Sequence, residues 1–460
     1  MEHRVAAADG VVGTLEALNV PLHELDAGQV SEVLAPAGRE RVEHADFVAA
    51  LEKSLREMGS DEPTATSYKH PHAAKGTDGD RNARTRHGFP TVMAMCGKRM
   101  LTALVLALVA LPAGQAEAKR HFTAKKAIWG PVTRDGKSQF PIYHDLGAGI
   151  WEYTLDWRQA APTKPADPRN PADPAYQWPA ELDQAVAEAR KYKIRISILL
   201  RSAPEWANGG KPENWVPKRP ADLGDFAAAA ALRYPSIKLW MIWGEPSRRE
   251  NFMPLTPERQ NSRKLTKKQA SAPRYYARML DASYAALKSV RRANIVIGGN
   301  TFTAGDITPY NWVRYLRMPG GRRPRMDLYG HNPFTGRRPR ANAPQDPYVV
   351  DISDLPTFTR FLDRQGLHRA GGGKLRLFLS EFFWPTDHAN NEFNFHLTKK
   401  LQASWLRDAL KLSRRSSRIY TLGWFALYDD PPRDDGLSVN RGLMTFGGKR
   451  KPSYNVFRSG

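Results

Sequence analysis

Two glutamates in this sequence each stand directly behind an apolar run. Glu245 closes Lys238-Leu-Trp-Met-Ile-Trp-Gly-Glu-Pro246, and Glu381 follows Leu375-Arg-Leu-Phe-Leu-Ser380. An ionised carboxylate is costly to remove from water, so an acid at the end of a buried strand calls for a reason. Either one alone also has an ordinary reading as a salt-bridged rim residue. Two together fit acetal cleavage, in which one carboxyl protonates the departing oxygen while the other attacks carbon or activates water.

The surrounding elements decide whether such a pair can meet. Short apolar runs recur at Ala127–Gly130, Ile150–Leu155, Arg195–Leu200, Lys238–Trp243, Ile295–Gly298, Met326–Gly330, Arg376–Ser380 and Thr421–Leu427. Amphipathic stretches separate them, most clearly Pro179–Lys191, Pro220–Tyr234, Pro273–Arg292, Asp354–Gln365 and Asn394–Arg415. Tyr276, Leu280, Leu287 and Val290 keep helical spacing, as do Leu397, Leu401, Trp405 and Leu412. Strands alternating with helices imply parallel pairing, and eight such units imply a closed (β/α)₈ TIM barrel. A doubly wound open sheet is the alternative. No Gly-rich phosphate turn follows the first strand to support it, and Gly371-Gly372-Gly373-Lys374 precedes a strand and lacks the following Ser or Thr. Long segments follow the strands at Ala161–Gln177, Ser247–Ser271 and His331–Ser353. In such barrels that face carries the site.

The placement resembles clan A glycoside hydrolases, with an acid/base Glu after strand four and a nucleophile Glu after strand seven. The similarity runs from about Ala127 to Phe457 and is nearest the cellulase-like family 5 and xylosidase-like family 39 members. Ser202-Ala-Pro-Glu-Trp-Ala207, Asp327-Leu-Tyr-Gly-His-Asn-Pro-Phe334 and Gly423-Trp-Phe-Ala-Leu-Tyr428 agree with it, and Lys451–Phe457 looks like the closing helix. The resemblance implies a retaining O-glycosidase acting on a β-linked glycan or glycoside without a cofactor. Glu245 would be its acid/base and Glu381 its nucleophile.

Three positions depart from the clan pattern. Gly244 replaces the usual Asn, Trp151–Trp157 lacks the common Arg, and Phe334 stands where many relatives carry Tyr. Asn300 is the candidate to replace the missing amide. His331, Trp424, Trp206, Trp384 and Tyr329 are further candidates for contact with sugar; each also has an ordinary packing role. Neither a metal-binding motif nor a Gly-x-Ser-x-Gly nucleophile elbow occurs.

Composition divides the chain. All 12 Trp lie at or beyond Trp129, and residues 1–92 carry 10 basic against 15 acidic side chains, the remainder 59 against 32. The basic excess suggests weak attraction to anionic envelope polymers, while no nucleic-acid-binding motif is present. Lys98-Arg99, an apolar stretch through Leu111 and Ala116-Glu117-Ala118 have the layout of a cleavable signal peptide. The apolar stretch, about 12 residues, is short for a bilayer span. We therefore expect a leader over 1–92, partly disordered, a signal-like segment over 93–118, and a barrel over 119–460 that is secreted or held in the envelope. The single Cys96 forms no internal disulfide. Two rival readings remain: a carbohydrate-binding barrel without turnover, and a polyanion-binding envelope protein.

Overall fold

The computed structural model describes residues 123–460 except 258–261, 263, 342, 389, 391, 392 and 394. The expectations for 1–92 and 93–118 lie outside the described residues. Eight parallel strands close into a barrel: β1 (Thr123–Trp129), β2 (Ala148–Asp156), β3 (Arg195–Arg201), β4 (Leu239–Ile242), β5 (Ile295–Phe302), β6 (Leu328–Asn332), β7 (Arg376–Leu379) and β8 (Ile419–Trp424). β1 pairs with both β2 and β8, which closes the ring. All eight expected strands are present with shifted ends. β8 stops at Trp424, because Phe425 N–H turns to Phe382 O and Leu427 N–H to Trp129 O.

The expected helices also form, as Ala180–Lys191, Pro220–Arg233, Ser271–Val290, Leu355–Arg364 and Lys399–Arg415. The last begins at Lys399 and not at Asn394, because the Thr398 hydroxyl accepts the Leu401 N–H at 3.2 Å and caps it. A hairpin of Thr133–Arg134 and Lys137–Ser138 was not expected. Its Asp135-Gly136 turn, with φ of 50° and 70°, is a strong two-residue hairpin signal.

Successive side chains on a strand point to opposite faces, and two packed layers show which is which. Ala127, Trp129, Ile150, Leu199, Leu239, Met241, Ile297, Leu328 and Phe378 fill the barrel. Ile128, Trp151, Leu200, Trp240, Val296, Tyr329, Leu379 and Trp424 belong to the larger layer between barrel and helices. Counting in twos from the inner set brings Glu152, Thr154, Arg201, Asn332 and Ser380 inward. The same count sends Tyr329 and His331 outward, and Trp424 lies level with the outward Ile128. Among the described residues no helix is long and apolar enough to cross a membrane.

Candidate active site

Just past the end of β4 the chain turns sharply. Trp243 and Glu245 both adopt left-handed backbone conformations, with φ of 63° and 41°. For residues with a side chain such conformations cost on the order of 1 kcal/mol or more and persist only where the surroundings enforce them. Here Trp243 N–H donates to Leu200 O at 2.9 Å, its indole donates to Asn251 O at 2.7 Å, and Asn300 Nδ2 donates to Trp243 O at 3.0 Å. The turn presents Glu245 at the barrel mouth, only 7% exposed.

Both Glu245 oxygens accept hydrogen bonds. Asn332 Nδ2 donates to Oε1 at 2.8 Å; Arg248 donates to Oε2 at 3.0 Å and Asn251 Nδ2 at 3.4 Å. Asn332 ends β6 on its inward face. Its Oδ1 accepts the backbone N–H of Glu381 at 3.1 Å. An N–H can only donate, so the amide orientation is fixed. One side chain thus joins the two glutamates across the mouth.

Both glutamates line one cleft of about 610 Å³ at the C-terminal ends of the strands. One wall is aromatic: Trp129, Phe425, Phe383, Phe334 and Phe302 run ring to ring, with centroids 5.2–6.3 Å apart. Phe334 is a central member of that wall. Guanidinium groups cover parts of it. Arg441 lies over Phe383 and Phe425 at 5.1 and 4.9 Å, and Arg248 over Phe302 at 4.6 Å. Arg201 also lines the cleft.

The fold is shared with glycoside hydrolases. A family 39 glycoside hydrolase from Bacteroides cellulosilyticus WH2 aligns with a TM-score of 0.55 at 17% identity, over 74% of this chain and 64% of that one. A glucosidase from Croceicoccus marinus aligns with a TM-score of 0.50 at 15% identity, over 73% of this chain and 67% of that one. The chain thus spans 64% of the length of the first structure, and the likeness is one of fold. No protein-family profile matches the sequence, and no curated protein is similar to it.

The six residues expected to touch sugar do not line this cleft. Trp424 faces the helices, buried against Phe382 and Trp384. Trp384 is buried beside it, its indole donating to Thr335 O at 2.8 Å. Trp206 stacks edge-on against Trp157 and donates to Ala161 O. Tyr329 is sealed against Phe358. Asn300 supports the β4 turn from behind. His331 is fully buried; Nε2 donates to Val350 O at 2.8 Å, leaving Nδ1 to accept from the Thr301 hydroxyl, also at 2.8 Å. Burial lowers the His331 pKa to about 4, so the ring is neutral near pH 7.

The sequence reading had passed over Asn332, Arg248, Asn251 and Arg201. Asn332 lay within the sixth-strand motif, and counting in twos from Leu328 would have found it. Among the described residues no cluster of His, Cys, Asp or Glu is arranged to hold a metal ion.

Proposed function

We propose that this protein is an exported glycoside hydrolase that cleaves the O-glycosidic bond of a β-linked glycan or glycoside with retention. The observation that carries the reading is the meeting of Glu245 and Glu381 in one cleft, joined through the Asn332 amide. The shared barrel supports it. In the first step the Glu381 carboxylate attacks the anomeric carbon while Glu245 gives its proton to the departing oxygen. The glycosidic bond breaks and a glycosyl ester forms on Glu381. Glu245, now charged, takes a proton from water; the hydroxyl adds to the anomeric carbon and Glu381 leaves as carboxylate. Retention requires the two carboxyls to stand about 5–5.5 Å apart in the working enzyme.

The donors around Glu245 favour its charged form, which suits the second step. For the first step Glu245 must carry a proton, and Arg248, which is shared between Glu245 and Glu250, is the charge that opposes it. The test is hydrolysis of aryl glycosides and polysaccharides by wild type, Glu245→Gln and Glu381→Gln. Loss in both variants, with azide trapped as an inverted glycosyl azide by Glu381→Ala, supports retention. Glycan binding without turnover in all of them would favour the binding-barrel reading, to which Gly244 and the fully bonded Glu245 lend weight. Export rests on residues 98–118; a mature N-terminus near Lys119 in the culture medium would support it, and retention of the intact chain in the cytoplasm would end it.

A further inference from the structure

Glu152 is a third carboxyl, inside the barrel and buried beneath the two of the cleft. It sits on β2 level with Trp129 of β1 and Ser197 of β3, and it is 1% exposed. Its Oε2 accepts a hydrogen bond from Ser380 Oγ at 2.7 Å, and its Oε1 has no hydrogen-bond partner. No cation pairs with it among the described residues. Around it stand Ser380 and Glu381 just past β7, Trp129, Ser197 and the backbone of Gly423 on β8. Among the described residues the charge that acts on it is that of Glu381.

The space for this carboxyl depends on Gly423. A Cβ there would lie 2.6 Å from Glu152 Oε1 and 2.0 Å from Ser380 O, closer than any real contact. Ser380, the residue before Glu381, is thereby held twice. Its hydroxyl is fixed by Glu152, and its carbonyl accepts from Trp129 Nε1 at 3.1 Å. An unpaired charge so far from water is strongly disfavoured. Burial accordingly raises the Glu152 pKa well above the usual carboxylate range, and the nearby Glu381 raises it further, against the Ser380 hydrogen bond.

We infer that Glu152 is a positioning residue for Glu381: a neutral carboxyl beneath the nucleophile that fixes Ser380 and so the direction of Glu381. This rests on the hydrolase reading of the cleft. A protonated Glu152 holds the serine without placing a second negative charge under Glu381, where two ionised carboxylates would compete for one proton.

The test uses the full chain as wild type, Glu152→Gln, Glu152→Leu and Ser380→Ala. The infrared difference between wild type and Glu152→Gln at neutral pH is expected to show the carbonyl stretch of a protonated carboxyl; carboxylate bands instead would overturn the inference. On a glycoside that wild type cleaves, Glu152→Gln keeps kcat within about fivefold, the worth of one neutral hydrogen bond. Glu152→Leu lowers kcat about 100-fold, as a misdirected nucleophile would, with KM little changed. Adding Ser380→Ala to Glu152→Leu costs nothing further, because both break the same contact. A folded Glu152→Gln without turnover would mean that the proton itself is used in the chemistry. A Glu152→Leu with full kcat would mean that nothing is being positioned. Failure of the hydrolase reading looks different: wild type cleaves no glycoside at all, and the positioning role falls with it.

Discussion

Asn332 contacts both acidic candidates with the two ends of one amide, and its removal should disturb both at once. Asn332→Ala is expected to lower kcat about 100-fold through misalignment and to lower the melting temperature by a few degrees, since two buried hydrogen bonds are lost; a fully active variant would mean that the bridge is incidental. Arg248 donates to the Glu245 carboxylate and also contacts Glu250. Without its guanidinium, Glu245 holds its proton to higher pH, so Arg248→Gln should move the alkaline limb of the kcat/KM profile upward. An unmoved limb would remove Glu245 from the role of acid. At this scale the sequence was legible where a residue type was out of place. Two acids behind apolar strands announced themselves; an Asn between His331 and Pro333 did not. His331 and Tyr329 stood out by nearness to a strand end and Trp424 by its match to a sugar-stacking position of the resembled clan, and neither signal says on which face of this barrel a side chain emerges.

Strands and helices were more readable than the site, because apolar periodicity extends over many residues and survives local irregularity. The ends were not. Thr398 stops its helix five residues short of Asn394 by a single hydroxyl hydrogen bond, and no periodic signal contains that. The β4 turn is the element on which most depends. Gly244 separates two left-handed residues, and a Cβ there would meet Leu199 at 3.4 Å, an ordinary contact. A Cβ at 244 is therefore accepted, and Gly244→Asn would place an amide beside Glu245. Hydrogen bonds to sugar strengthen in the transition state, so the variant should raise kcat on simple aryl glycosides by about tenfold, roughly 1.4 kcal/mol. No gain would show that another donor already fills that role.

For the molecule as a whole, the sealed His331 ties stability to pH. Its folded pKa of about 4 lies below the ordinary 6.5, so as pH falls between these values the unfolded chain takes up a proton that the native one refuses. The native state should lose about 3 kcal/mol across that window. The melting temperature of His331→Gln should therefore fall less steeply than that of wild type from pH 6.5 to 4; parallel curves would sink the idea. The formal charge of +22 should draw anionic polysaccharides at low ionic strength and release them well above about 0.1 M salt, where the Debye length drops under ~10 Å; binding indifferent to salt would end that expectation. The Trp129 indole, finally, reaches over β8 to the carbonyl beside Glu381, so one wall of the site comes from the first strand of the barrel and its floor from the last two. At about 5–20 residues per second on the ribosome, Trp129 is made tens of seconds before Gly423. Until the ring closes, β1 has an apolar surface and no eighth strand to cover it, a natural moment for a chaperone. A split protein cut between β4 and β7 should likewise be silent as separate halves and regain turnover only on reassembly.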